Sequence, residues 1–219
     1  MKEFIEYLRD DHSDFNKGSL DDQVKVSDPL LLFHKWYQEA FEKNCADPHA
    51  MVISTVNTDM QPSSRTVFMK ELVEEGLIFF TNYNSQKGKE MIANPKVSIL
   101  FYWDCLERQV RIHGEAKKAP KEISDDYFAS RPRGSQIGAW ASHQSDEIDS
   151  RELLEKSFQE AEEKFKGKKV PRPDFWGGFL IKPTYFEFWQ GRPNRLHDRI
   201  CFEKTNKSNP SWNVIRKNP

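Results

Sequence analysis

Three short stretches of this chain gather cations with hydroxyls and rings. Ser64 and Arg65 open an apolar run that closes on Lys70; Arg131, Arg133 and Ser135 share one turn; and 189–199 holds Trp189, Arg192, Arg195, His197 and Arg199. A cation in an apolar strand is costly unless something neutralises it. Taken singly, each arginine is explained by a neighbouring carboxylate or by solvent. Three clusters together favour an anionic ligand, because guanidinium and ammonium groups grip phosphate while rings and guanidinium planes stack on flat heterocycles. The chemistry to expect is binding of a phosphorylated, planar molecule.

Other chemistries lack their motifs. No GxGxxG, GxxxxGK[ST], HExxH or GxSxG occurs, which removes the sequence support for dinucleotide, P-loop, zincin and hydrolase-elbow readings. The six histidines, His12, His34, His49, His113, His143 and His197, show no metal-ligand spacing, so no metal is expected. Lys plus Arg number 33 against 34 Asp plus Glu, and a balanced charge gives no global field to hold nucleic acid or membrane. Cys45, Cys105 and Cys201 are odd in number and widely spaced; they form neither a CxxC pattern nor a paired disulfide framework, which fits a reducing compartment. Residues 1–11 carry charges throughout, and the longest apolar run, 97–103, is far too short to span a bilayer. A cytosolic protein is the expectation.

The elements that must position the clusters follow from periodicity. Residues 1–26 are polar and acidic without a sustained period and read as a mobile arm; 27–219 reads as a single domain. Ser27-Asp28-Pro29 offers an N-cap, and Phe33, Trp36 and Ala40 recur at helical spacing, predicting a helix over 29–44. From Met51 the period becomes two, predicting a hairpin with a turn at 57–62 and a second strand over 64–70. Further strands are expected at 77–81, 97–103, 108–116, 177–181, 185–190, 196–203 and 212–215, with helices at 85–93, 120–130, 135–142 and 150–165. In the strand at 108–116, Val110 and Ile112 face one way while Gln109, Arg111 and His113 face the other. Without regular βαβ alternation, the fold class is mostly β with α, an antiparallel barrel with helices packed around it.

At Arg195-Leu-His-Asp-Arg199, preceded by Glu187-Phe-Trp-Gln-Gly191, the chain resembles the pyridoxamine 5′-phosphate oxidase family. The likeness extends in collinear order through Ser64-Arg65 to Lys70, Phe79-Phe-Thr-Asn82, Glu107-Arg-Gln-Val-Arg111, Ser130-Arg-Pro-Arg133, Ser135-Gln-Ile-Gly-Ala-Trp140 and Trp176-Gly-Gly178. It implies an antiparallel split β-barrel, a homodimer, and FMN bound at the subunit interface. It further implies that Arg65, Thr66, Val67, Phe68, Phe80, Thr81, Gln86, Lys87, Gln109, Gln144, Ser145, Trp189 and Arg199 serve the cofactor. Lys70, Tyr127, Arg131 and Ser135 would clamp the substrate phosphate, with Arg195, Leu196 and His197 over the pyridine ring. Gln86 stands where the family usually has arginine; His12 and Phe15 stand where some members present Arg and Tyr.

The reaction so implied is oxidation of phosphorylated B6 vitamers, pyridoxamine and pyridoxine 5′-phosphate, by O₂ to pyridoxal 5′-phosphate with release of H₂O₂. Arg195 and His197 would orient the substrate and stabilise charge. The alternatives are a non-catalytic flavin or pyridoxal-phosphate binding protein on the same barrel, and a split-barrel reductase with another electron donor.

Overall fold

In the computed structural model, residues 14–20, 28–205 and 211–219 are described; His12 and Ser27 lie outside them, as does most of the stretch expected as an arm. Among the described residues nine strands, β1 (Ala50–Val56), β2 (Pro62–Phe68), β3 (Glu71–Val73), β4 (Gly76–Asn82), β5 (Lys96–Trp103), β6 (Arg108–Lys118), β7 (Trp176–Gln190), β8 (Asp198–Lys204) and β9 (Trp212–Arg216), pair in the order β2-β1-β5-β6-β7-β4-β3, with β8 on β7 and β9 on β8. The pairs β1/β2, β3/β4, β4/β7, β7/β8 and β8/β9 are antiparallel, in keeping with the expected class. The chain divides into two compact units, one of His49–Ile99 with His113–Thr184, the other of Met1–Pro48, Leu100–Ile112 and Tyr185–Pro219.

The first unit holds β1 (Ala50–Val56), β2 (Pro62–Phe68), β3 (Glu71–Val73), β4 (Gly76–Asn82) and α2 (Gln86–Ala93). It also holds α3 (Lys121–Ser130), α4 (Arg133–Ala141), α5 (Arg151–Lys164) and parts of β5 (Lys96–Trp103), β6 (Arg108–Lys118) and β7 (Trp176–Gln190). On β1 every second residue is buried, whereas β2 buries none and only its odd-numbered residues are even half-covered. An edge strand of that kind leaves Arg65 and Val67 free to line a cavity. Phe128, Ile137, Ala141, Ala161, Phe165, Val170 and Trp176 form a core that fixes the three helices. Ser85 caps α2 through Gly88 N, and a Cβ at Gly88 would stand 2.3 Å from Tyr83 O. Only glycine lets α2 lie that close to the chain leaving β4.

The other unit holds α1 (Pro29–Glu42), the remaining parts of β5, β6 and β7, β8 (Asp198–Lys204) and β9 (Trp212–Arg216). Asp28 caps Leu30 N and Pro29 starts the helix, so the expected stripe of Phe33, Trp36 and Ala40 is buried. Phe33 packs on Phe101 at 5.0 Å and Trp36 on Phe188 at 5.2 Å between ring centroids.

Three expectations change. The strands expected at 177–181 and 185–190 are one 15-residue strand, β7. Its first part pairs with β4 and its later part with β8; Pro183, without an N–H to donate, lies where the partner changes, so the pattern looked broken. Second, β2 ends at Phe68 rather than running to residue 70. Lys70 lies beyond it, its N–H donating to Ile78 O at 2.9 Å, so the strict strand alternation linking Arg65 to Lys70 does not apply. Third, Cys45 and Cys105 are joined, their Cα atoms 5.7 Å apart, inside the reach of a disulfide. Their 60-residue separation hid a proximity made by α1 and the turn after β5, where Trp103 Nε1 donates to Pro48 O at 2.9 Å. Cys201 remains free and buried.

Candidate functional site

The first unit contains a cavity of about 470 Å³ lined by Arg65, Thr66, Val67, Phe68, Lys70, Phe80, Thr81, Lys87, Tyr127, Arg131, Gln144 and Trp176. Four cations line it, and among the described residues no carboxylate does. A smaller one of about 250 Å³ shares Arg131, Gln144 and Trp176 and adds Ser135, Asn82 and Ser142. Eleven of the expected cofactor and substrate residues thus line the first cavity, and Ser135 lines the second.

Rings form its wall. Phe80 stacks on Tyr127 at 3.9 Å and 11°, and on Trp176 at 5.7 Å and 9°. Arg131, just past the end of α3, lies over Trp176 at 4.5 Å from the ring centroid. Its Nη1 is buried and has no hydrogen-bond partner. Burial pulls the Arg131 pKa down, only partly countered by Tyr127, and a buried guanidinium nitrogen without an acceptor is costly. An anion would repay that cost, so the residues present fit a phosphate-bearing group. Burial likewise raises the Tyr127 pKa, with Arg131 lowering it and Glu71 raising it further.

Lys87 projects from the first turn of α2, buried, its Nζ 3.5 Å from Thr81 Oγ1. Burial and the Arg65 charge lower its pKa, and Glu90 works the other way. Gln144 Oε1 accepts from Thr81 Oγ1 at 3.1 Å and from Asn82 N at 3.4 Å. Gln86 and Ser145 belong to this unit but do not line either cavity. The Gln86 side chain instead donates to Glu90 Oε1 at 2.9 Å, and Ser145 sits in a left-handed backbone conformation, φ 75°.

Gln109, Trp189, Arg195, Leu196, His197 and Arg199 belong to the other unit. Trp189 and His197 pack at 4.6 Å, and Phe15 meets both edge-on at 5.6 and 5.2 Å. His197 Nδ1 accepts from Arg192 N at 3.1 Å, which leaves the imidazole proton on Nε2. Burial first, then the Arg195 charge, lowers the His197 pKa, against the pull of Asp14. Arg195 and Leu196 are exposed, and Arg195 has φ 59°. Arg199 is held by Glu187, with Nη2 3.1 Å from Oε2; Glu187 is buried and also takes Arg111 Nη2 at 2.6 Å and the Tyr185 hydroxyl at 2.8 Å.

Sequence reasoning did not single out Trp176 or Glu90. Trp176 was visible only as part of a motif; Glu90 follows Gln86 by one helical turn, and that spacing was its only signal.

The chain matches the family model described as pyridoxamine 5′-phosphate oxidase over residues 37–165 and the one described as pyridoxine 5′-phosphate oxidase C-terminal dimerisation region over 176–219. It is 47% identical over 206 residues to a pyridoxine/pyridoxamine 5′-phosphate oxidase of Rubrobacter xylanophilus, covering 94% of each chain. With pyridoxine/pyridoxamine 5′-phosphate oxidase 2 of Hydrogenovibrio crunogenus it shares 49% over 195 residues, 89% of this chain and 92% of that one. Among solved structures, PhzG from Burkholderia lata 383, in complex with tetrahydrophenazine-1-carboxylic acid, superposes with TM-score 0.85 at 29% identity, covering 92% of this chain and all of that one. A pyridoxamine 5′-phosphate oxidase-related, FMN binding protein from Nostoc punctiforme has TM-score 0.68 at 14% identity, covering 85% and 97%, and shares the fold.

Proposed function

Given that this chain belongs to the pyridoxamine 5′-phosphate oxidase family and is an oxidoreductase, we propose that it uses FMN and O₂ to convert pyridoxamine 5′-phosphate and pyridoxine 5′-phosphate to pyridoxal 5′-phosphate, releasing H₂O₂. The observation that carries this reading is the cavity of four cations and stacked rings in which Arg131 Nη1 is buried without a partner. FMN, when bound, supplies the two-electron acceptor that the side chains lack.

The chain's own groups bind and orient. Arg65 and Lys87 hold the cofactor phosphate, with Thr66, Val67, Phe68, Phe80, Thr81 and Gln144 along its ring system. Lys70, Tyr127, Arg131 and Ser135 clamp the substrate phosphate, so that binding energy far from the reacting carbon fixes its position. Arg195, Leu196 and His197 cover the pyridine ring; His197, kept neutral near pH 7, offers its Nε2 proton as a hydrogen-bond donor. Gln109, Ser145, Trp189 and Arg199 complete the cofactor contacts. Two copies pair through the region 176–219, and the enzyme works in the cytosol.

The test is H₂O₂ release by the purified full chain with each phosphorylated vitamer, and chromatography of the flavin freed on denaturation. FMN and a stoichiometric oxidase reaction are expected. FAD, or turnover of tetrahydrophenazine-1-carboxylic acid but of neither vitamer, would overturn the reading.

A further inference from the structure

We infer that Glu90 sets the charge of the cavity by neutralising Arg65, and so moderates its grip on a phosphate; this rests on the FMN reading above. Glu90 lies on α2, 6% exposed. Its Oε2 is 3.5 Å from Arg65 Nη2 and accepts from the Thr55 hydroxyl and, at 3.2 Å, from the Ser63 hydroxyl; its Oε1 accepts from Gln86 at 2.9 Å. Thr55 and Ser63 accept in turn from Arg65, the latter at 2.6 Å. A closed set of five side chains therefore ties a buried carboxylate to Arg65, the cavity cation that has an ion pair among the described residues.

A buried carboxylate needs that many donors. Burial alone would raise its pKa, but the hydrogen bonds from Thr55, Gln86 and Ser63 and the Arg65 charge outweigh this and hold it below the usual 4.5. Glu90 is then ionised at neutral pH, and Arg65 faces the cavity as half of a neutral pair. Lys70 and Arg131 have no such partner among the described residues; they meet Phe68 and Trp176 rings instead. The same network accounts for Gln86, whose amide is spent on Glu90 rather than turned to the cavity.

Glu90→Gln keeps the shape and removes the charge. The full chain, freed of flavin, is titrated with FMN and in parallel with riboflavin, which lacks the phosphate. At low salt the variant should bind FMN about fivefold more tightly than wild type, the gain shrinking at high salt, while riboflavin affinity stays the same. An unchanged or weaker FMN affinity, or an equal gain for riboflavin, overturns the inference with the FMN reading intact. Failure of the wild-type chain to take up FMN sinks both. Should Glu90→Gln not fold, Glu90→Asp, which draws the carboxylate back from Arg65 by one methylene, is titrated in the same way: a smaller gain for FMN and none for riboflavin is expected, and no gain for FMN overturns the inference.

Discussion

Arginine does opposite things around the cavity and in the other unit. In the unit of Tyr185–Pro219, carboxylates answer it: Arg199 and Arg111 share Glu187, Arg192 and Arg216 share Asp198, and Arg108 meets Glu39. Around the cavity, Arg131 and Lys70 are answered only by rings, and among the described residues Arg65 is the cavity cation with an ion pair; Arg172 and Arg151, away from the cavity, pair with Asp125 and Glu155. Charge spent on a carboxylate holds the fold; charge propped on an aromatic face remains available to a ligand. Counting arginines along a sequence does not separate the two, but their partners do.

The sharpest way to break this contrast is Glu187→Ala. It leaves Arg111 and Arg199 without their shared, buried partner, and should cost about 3–5 kcal/mol of stability, read from urea unfolding. A loss under about 1 kcal/mol would put these arginines in the same class as Arg131.

Arg131→Met should do the reverse. Unfolding free energy stays level or rises slightly, because a guanidinium nitrogen without a partner disappears, while kcat/KM for the phosphorylated substrate falls by about 2–4 kcal/mol of transition-state stabilisation. Steady-state kinetics beside a thermal melt measures both. A variant that loses stability but keeps its kcat/KM would invert the assignment.

Acid sharpens the comparison further. Burial opposes ionisation of Glu187, but hydrogen bonds from Arg199 and Tyr185 and the Arg111 charge outweigh it and hold the carboxyl below 4.5. A carboxyl depressed on folding stabilises fully above its unfolded pKa and loses that contribution as pH falls through the folded value. The stability gap between wild type and Glu187→Gln should therefore be full at pH 7 and narrow below about pH 4. A gap independent of pH would mean that charge is not what Glu187 contributes.

The smallest effect is expected at Gln86→Arg. An added cation one turn from Glu90 competes with Arg65 for that carboxylate, and FMN affinity should rise by about 1 kcal/mol at low salt, less at high salt. Flavin-fluorescence titration at two ionic strengths measures it; no change would mean that the new cation does not draw Glu90 away from Arg65.

Much of this was legible beforehand, and the exceptions share a cause. The helix from Pro29 and the alternation of β1 and β6 follow from local period, and the structure has them. The cation clusters were visible as clusters, yet their meaning was not. Arg192 and Arg199 turned out to pair with Asp198 and Glu187, Arg133 to donate to Phe165 O and Lys168 O at 2.6 and 2.9 Å, and Arg131 to keep a buried Nη1 without a partner. Glu187 lies 12 residues from Arg199 along the chain, and the register of β7 and β8 brings them together. The Cys45–Cys105 bond and the continuity of β7 were missed for the same reason: both are set by partners distant in sequence. Glu90 shows it again, since nothing local marks a carboxylate that will be buried beneath β1 and β2.

Gly88 carries a last consequence. With Tyr83 O 2.3 Å from where its Cβ would be, it acts as a spacer of no thickness, and its clearance decides how far the neighbouring Lys87 amine reaches. One methyl group there would push α2 outward and draw that amine back from Thr81. No charge would change and no ligand-facing atom would be lost. A survey of random substitutions would score position 88 as a binding residue, although what it supplies to the site is distance.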